Sequence, residues 1–201
     1  MLADARVLLA RRILNSTPAD AEAGERARWL SNLGVHLAAL GRPAEALPAE
    51  QEAVAIYREL AQAYPDRYRG DLAASLSNLG NRFSELGCLA DALAAAQEAV
   101  AIYRELAQAY PDRYRPDLAR SLSSLGVRFS KLGRPVEALP AEQEAVAIRR
   151  ELAEVYPDRY RPELAVSLSF LGMLLSELGH SAEAARMRRE AERIKDDYSN
   201  T

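Results

Sequence analysis

The sequence Leu-Ser-Asn-Leu-Gly at residues 76–80 belongs to a set of four closely related pentapeptides, and this set decides the fold. The other members begin at Leu30, Leu122 and Leu168, so that successive copies are 46 residues apart. Residues 76–121 and 122–167 are identical at 32 of their 46 positions. Self-similarity at a fixed interval is typical of proteins that stack one small structural unit many times.

Each repeat is predicted to contain two helices. From Leu72 to Leu86 apolar residues recur at intervals of three and four, which predicts an amphipathic helix that ends at Gly87. A second run with similar spacing extends from Leu93 to Tyr110. Tyr-Pro-Asp-Arg-Tyr segments then follow, and they are predicted to be linkers between repeats. These segments begin at Tyr64, Tyr110 and Tyr156.

A glycine lies in the middle of each first helix, where it costs about 1 kcal/mol relative to alanine. Its recurrence predicts that the backbone of the second helix approaches closely at this point. The glycines are Gly34, Gly80, Gly126 and Gly172, and the facing residues are expected to be Ala46, Ala92, Ala138 and Ala184.

The order Leu-x-x-Leu-Gly-x-x-Leu/Phe, followed by two alanines seven residues apart, resembles the tetratricopeptide repeat. The long second helix is most similar to that of the extended repeats in kinesin light chains and bacterial signalling proteins. The resemblance implies an all-α, right-handed solenoid of antiparallel helical hairpins, with four repeats after a lone N-terminal helix and nine helices in all. The expected boundaries are 1–17 for the lone helix and 18–68, 69–114, 115–160 and 161–201 for the repeats, the last with a polar capping helix.

Composition excludes several classes of function. The 26 Lys and Arg residues nearly balance the 29 Asp and Glu residues, without the basic surplus that nucleic-acid binding requires. One cysteine and two distant histidines do not provide the usual zinc spacings, and no apolar run is long enough to span a membrane. We therefore expect no nucleic-acid or membrane partner, no metal and no cofactor, and we expect a cytoplasmic location.

The sequence also lacks the common catalytic patterns. It contains no phosphate-binding loop, no dinucleotide fingerprint and no His-Glu-x-x-His motif. Cys88 lies in a predicted turn without a histidine at a neighbouring repeat position to act as its base. Carboxylates such as Glu50 and Glu52 are expected on a solvated helix face. The chain is therefore predicted not to be an enzyme.

The family resemblance implies that the first helix of each repeat lines a concave groove, and that a protein or peptide lies there in extended form. Amide side chains in this groove can both donate to and accept from a peptide backbone, while Phe170 and Met173 provide an apolar end. The expected groove residues are Arg28, Ser31, Asn32, Val35, Ser77, Asn78, Asn81, Glu85, Arg120, Ser123, Ser124, Lys131, Ser169, Phe170, Met173 and Glu177.

Other interpretations remain open from the sequence. The groove residues could merely solvate an inner surface, with Phe170 and Met173 packed on the last helix. The chain could be a self-associating scaffold that forms a homodimer through its N-terminal helix or a solenoid side, or a designed scaffold without a natural ligand. Chaperone-tail binding is not expected, because the positions of the family's carboxylate clamp carry Ser31, Val35, Ser77, Asn81 and Ser123.

Overall fold

The computed structural model describes residues 2–16 and 23–199, and these residues form nine α-helices and no β-strand. The predicted end of the N-terminal helix before Pro18 lies outside the described residues. The helices are α1 Leu2–Ser16, α2 Ala23–Ala39, α3 Pro43–Ala63, α4 Pro65–Glu85, α5 Leu89–Ala109, α6 Pro111–Lys131, α7 Pro135–Val155, α8 Pro157–Glu177 and α9 Ser181–Ser199. The prediction of nine helices is confirmed. We call α2, α4, α6 and α8 the first helices, and α3, α5, α7 and α9 the second helices.

Two compact units make up the chain, residues 1–102 and residues 103–201, and the division falls within α5. In the first unit α1 packs on α2, α2 on α3 and α3 on α4, and α2 also touches α4. In the second unit α6 packs on α7, α7 on α8 and α8 on α9. Packing between consecutive helices is the hairpin arrangement that the repeat predicts.

The turn inside each repeat follows the glycine signal in the sequence. Gly41, Gly87, Gly133 and Gly179 all have φ between 69° and 84°, a conformation that glycine adopts without steric cost. At Gly87 the next amide, that of Cys88, donates to the carbonyl of Phe83 at 2.8 Å, while Gly87 itself donates to Ser84 at 3.3 Å. This pair of bonds is a Schellman motif, and it satisfies carbonyls that the end of α4 would otherwise leave unpaired.

The Tyr-Pro-Asp-Arg-Tyr segments are not linkers, and that prediction was wrong. Only Tyr64, Tyr110 and Tyr156 interrupt the helices, and the proline that follows each of them is the first residue of the next helix. Proline suits this position because its fixed φ matches a helix and the first amide has no helical partner to lose. One residue therefore suffices to reverse the chain between repeats.

The mid-helix glycines bring hairpin backbones close together in the second unit. A Cβ added to Gly126 would lie 3.5 Å from the carbonyl oxygen of Ala138, and one added to Gly172 would lie 3.2 Å from that of Ala184. These alanines are the predicted partners, so the prediction is confirmed at both positions. Gly34 faces the side chain of Glu50 instead, and a Cβ there would be 2.4 Å from Cγ of that residue.

The lone N-terminal helix buries only part of its apolar surface. Val7 and Ala10 join a core cluster with residues of α2 and α3. Leu8 and Leu9 remain 67% and 54% exposed. α1 therefore has an uncovered apolar face, as the surplus of apolar residues in its sequence predicts.

Candidate functional site

Every first helix presents one row of side chains that is exposed or half-buried. The row contains four positions at intervals of four, three and four residues, which places them on one face of a helix. We call it the first-helix stripe. Its residues are Arg28, Asn32, Val35 and Ala39 in α2, Ala74, Asn78, Asn81 and Glu85 in α4, Arg120, Ser124, Val127 and Lys131 in α6, and Val166, Phe170, Met173 and Glu177 in α8. Only Asn78, Ser124, Val127 and Phe170 are half-buried, and the others are exposed.

Four of the five serines predicted to line the groove lie beside the stripe rather than on it. Ser31, Ser77, Ser123 and Ser169 are half-buried. The hydroxyl of Ser31 lies 3.2 Å from that of Ser75 on the neighbouring first helix. Ser77 and Ser169 each donate to a carbonyl of their own helix, at 2.9 and 2.8 Å. These hydroxyls therefore form hydrogen bonds within the protein and connect its helices.

Sequence differences among α4, α6 and α8 are concentrated on the stripe. α4 and α6 differ at five of 21 positions, and four of those five are the stripe positions. α6 and α8 differ at seven positions, and again all four stripe positions are among them. The central parts of α5 and α7 differ less, since residues 97–105 and 143–151 differ only at the buried pair Tyr103 and Arg149, although both ends of these two helices carry further differences. From α4 to α8 the framework of the first helices is thus repeated while one exposed face varies.

The stripes of the first unit are polar. Asn32 and Asn81 are exposed, Asn78 is half-buried, and each carries an amide that can donate and accept. Glu85, at the end of the α4 stripe, lies 2.8 Å from Nη1 of Arg82. This face therefore offers mainly hydrogen-bonding groups, although Val35 also exposes apolar area.

The stripes of the second unit include an apolar patch. A ring carbon of Phe170 lies 3.3 Å from the position that a Cβ of Gly126 would occupy, so Phe170 packs onto α6. Val166 is 67% exposed and Met173 is 37% exposed on the same face of α8. With Val127 of α6 these residues form what we call the α8 patch. The patch can take an apolar side chain, and burying one contributes about 1.5–3 kcal/mol.

The two arginines of the stripes form ion pairs with carboxylates one turn earlier. Arg28 lies 3.6 Å from Glu25, and Arg120 pairs with Asp117 in the same way. The side chains of both arginines are well exposed. Exposed pairs of this kind contribute less than about 1 kcal/mol, so a ligand carboxylate can compete for either arginine.

Glu50 is buried beneath the stripes of the first unit, contrary to the expectation that it faces solvent. It is 2% exposed, packs against Gly34 of α2, and has Oε1 3.6 Å from Nε of Arg82. Burial, opposed by the charge of Arg82 and assisted by that of Glu85, raises the pKa of Glu50 to about 7. Glu52 is exposed as expected and pairs with Arg26 at 2.7 Å.

A second buried polar cluster lies in the other unit. Arg149 of α7 donates to the hydroxyl of Ser123 at 2.6 Å and also to that of Ser167. Ser123 in turn donates to Oε1 of Glu142 at 3.2 Å, and Glu142 is 0% exposed. Glu163 approaches Nε of Arg149 at 3.5 Å. Burial raises the pKa of Glu142 and lowers that of Arg149.

Sequence reasoning missed both clusters, although the repeat contained a signal for them. The positions of Glu50 and Glu142 carry Ala96 in the second repeat, and the position of Arg149 carries Tyr103. A position that holds alanine in one repeat and glutamate in another, within otherwise matching helices, is a candidate for burial. The expectation of a solvated face came from residue type alone.

The described part of the chain contains neither a membrane-spanning helix nor a metal-binding cluster. None of its helices has the length and apolar character needed to cross a membrane. Among the same residues no group of three or more His, Cys, Asp or Glu side chains is placed to hold a metal ion. Cys88 is exposed in its turn.

A family profile described as the tetratricopeptide repeat matches residues 26–64, 72–112 and 118–158, which together exceed half of the chain. The chain belongs to the tetratricopeptide repeat family. The three matches cover most of α2–α3, of α4–α5 and of α6–α7, so the family assignment rests on the hairpins that carry three of the four stripes. A search of curated proteins gives no significant match.

Solved structures of tetratricopeptide repeat proteins share the fold. A kinesin light chain of Podosopora anserina with nearly identical TPR-like repeats is 19% identical, with a TM-score of 0.72 and coverage of 99% of this chain and 90% of the other. MamA is 16% identical, with a TM-score of 0.68 and coverage of 99% and 92%. A Rap conjugation gene regulator in complex with a Phr peptide is 16% identical, with a TM-score of 0.61 and coverage of 96% and 48%. At these identities the likeness establishes the fold alone.

Proposed function

We propose that this protein is a non-catalytic module that binds an extended polypeptide through its first-helix stripes. The observation that carries the proposal is the concentration of sequence differences among α4, α6 and α8 on their stripes. Tetratricopeptide repeats form protein-interaction modules, and one solved structure with the same fold holds a Phr peptide. A surface that contacts different parts of a ligand needs a different side chain in each copy, whereas a solvated face does not.

The two units would contribute differently to binding. In the first unit Asn32, Asn78 and Asn81 would hydrogen-bond to the peptide backbone, which does not require a particular ligand sequence. In the second unit the α8 patch would bury one apolar side chain of the ligand, with Phe170 and Met173 as the main contacts. The expected ligand is therefore a peptide with one large apolar residue among polar ones. Free, exposed Cys88 suits a reducing compartment, and we place this role in the cytoplasm.

A displayed library of random twelve-residue peptides, selected on the intact protein, tests the proposal. Selected peptides should share a large apolar residue, and their affinity should fall by about tenfold or more for the Phe170→Ser/Met173→Asn variant. That variant carries residues that other repeats already hold at these positions, Ser124 and Asn81, so the helix should be retained. Binding can be measured by fluorescence anisotropy and helix content by circular dichroism.

The matched control changes exposed residues on the second helices, Gln97→Ala/Gln143→Ala. This variant should bind the selected peptides as the unmodified protein does. Equal loss in both variants, or retention in both, would contradict binding at the stripes. A failure to select any peptide would favour the interpretation of a scaffold without a natural ligand.

Self-association is the second candidate function, and the exposed leucines of α1 favour it. Leu8 and Leu9 are 67% and 54% exposed, and burying what remains exposed of both against a second chain would contribute about 2–4 kcal/mol. Multi-angle light scattering of the intact protein should then give a dimer, and the Leu8→Gln/Leu9→Gln variant should give a monomer. A monomeric unmodified protein at high concentration would exclude this candidate.

A further inference from the structure

A groove in the first unit lies on the opposite face of α4 from its stripe. The groove has a volume of about 310 Å³. Its floor is formed by Leu76, Leu79 and Phe83 of α4, and its walls come from α3 and α5. Along a helix with 3.6 residues per turn, these three residues lie on the side away from Asn78, Asn81 and Glu85.

The second unit contains a copy of this groove, displaced by two repeats or 92 residues. Leu168, Leu171 and Leu175 of α8 correspond to the floor. There Met187 of α9 packs against the core cluster that includes all three leucines. The guanidinium of Arg150 also lies 3.9 Å from the sulfur of Met187. A methionine side chain therefore covers the floor in this copy.

In the first unit the position of Met187 is occupied by Ala95. Alanine ends at Cβ and cannot reach across the floor. Phe83 is half-buried, whereas the corresponding Leu175 is 4% exposed. The remaining walls are alike, because Arg58 bonds to Glu98 at 2.9 Å as Arg150 does to Glu190 at 2.7 Å.

The charge at the rim of the groove indicates which kind of residue would lie beside the apolar side chain of a bound segment. Asp91 lines the groove in the first unit and is exposed. Its counterpart in the second unit is Glu183, which is one turn before Arg186 in α9. Residue 94, the counterpart of Arg186, is alanine, so α5 itself provides no cation there.

We propose that this groove, which we call the Ala95 groove, binds a partner segment in which a methionine or other unbranched apolar side chain follows a basic residue. The apolar side chain would take the place of Met187 over Leu76, Leu79 and Phe83. The base would take the place of Arg186 beside Asp91. This site is independent of the first-helix stripes, since it uses the other face of α4.

The chain supplies its own probe, a synthetic peptide with the sequence of residues 181–197. Added to the intact protein with labelled methyl groups, this peptide should shift the methyl signals of Val54, Leu76 and Leu79. The same peptide with Met187→Ala should bind about tenfold or more weakly. Unchanged signals of these three residues at millimolar peptide would overturn the proposal.

Two variants of the protein separate this site from others. Ala95→Met fills the groove with the side chain that the second unit already holds there, and it should abolish the methyl shifts while the helix content is retained. Asp91→Asn alters only an exposed residue and should weaken binding several-fold. Binding of the peptide to Ala95→Met with undiminished affinity would show that it contacts another surface. The Phe170→Ser/Met173→Asn variant should bind the probe normally, so the outcome does not depend on the stripes.

Discussion

Replacing Glu142 with alanine should lower the free energy of unfolding by about 3 kcal/mol. The carboxylate is 0% exposed and accepts a hydrogen bond from Ser123, which itself accepts one from Arg149. Without Glu142 the guanidinium, also buried, keeps the half-exposed Glu163, 3.5 Å from its Nε, as a counterion. An uncompensated buried charge costs more than the ion pair contributes. Urea unfolding followed by circular dichroism measures the difference.

The second repeat provides the matched control for this prediction. It carries Ala96 and Tyr103 where the third repeat carries Glu142 and Arg149, and Tyr103 is buried against Tyr114 with ring centroids 6.4 Å apart. The double variant Glu142→Ala/Arg149→Tyr should therefore recover most of the lost stability. If the two changes are simply additive, the cluster does not act as a coupled unit.

The helices and their ends could be predicted because their signals are local. Gly87 ends α4 through a left-handed conformation that few other residues adopt, and the three-and-four spacing of leucines reports the buried face directly. The one error of this kind concerned Tyr-Pro-Asp-Arg-Tyr. Proline is equally typical of linkers and of the first helical residue, and only the structure distinguishes the two at Pro65, Pro111 and Pro157.

The stripe positions were predicted only through the family resemblance, and the structure adds which of them are exposed. Asn32 and Asn81 are exposed, whereas Ser31 and Ser123 form hydrogen bonds inside the protein. The spacing of residues could not separate the exposed asparagines from the bonded serines, because Ser31 and Asn32 are adjacent in sequence. Asn32 lies on the exposed stripe, whereas Ser31 faces the neighbouring helix. Ligand contacts of the stripe residues stay a prediction.

The buried charges could not be predicted because their burial depends on distant residues. Glu50 fits beneath the first helices only because Gly34, sixteen positions earlier, has no side chain. Its counterion, Arg82, comes from the following repeat. A glutamate in a helix is usually exposed, and nothing in its immediate neighbours indicates otherwise. The alternation of alanine and glutamate between repeats was the available signal.

Glu50 and the stripe are electrostatically connected. Arg82 lies between the two carboxylates, 3.6 Å from Glu50 and 2.8 Å from Glu85 on the stripe. A ligand cation that attracts Glu85 would leave Arg82 freer to neutralise Glu50. The pKa of the buried carboxyl therefore depends on what occupies the surface above it, and this dependence can be measured without knowing the ligand.

Replacing Glu50 with glutamine should stabilise the protein at about pH 8 by about 3 kcal/mol and have little effect at about pH 4. Burial raises the pKa of Glu50 from 4.5 to about 7, so between these values the folded protein binds a proton that the unfolded chain does not. The free energy of unfolding of the unmodified protein therefore falls as pH rises through this range. Glutamine resembles the protonated acid and is insensitive to pH.

The measurement is the difference in melting temperature between Glu50→Gln and the unmodified protein from about pH 4 to about pH 8. The control removes the neighbouring charge that raises the pKa of Glu50. In the Glu85→Gln background Arg82 keeps Glu50 as its nearest carboxylate, so the pKa of Glu50 should be lower. The difference in melting temperature caused by Glu50→Gln should then be smaller, and it should arise at lower pH. A difference that is constant across the whole range would mean that Glu50 titrates alike in the folded and unfolded chain. Burial beneath Gly34 would then not control its charge.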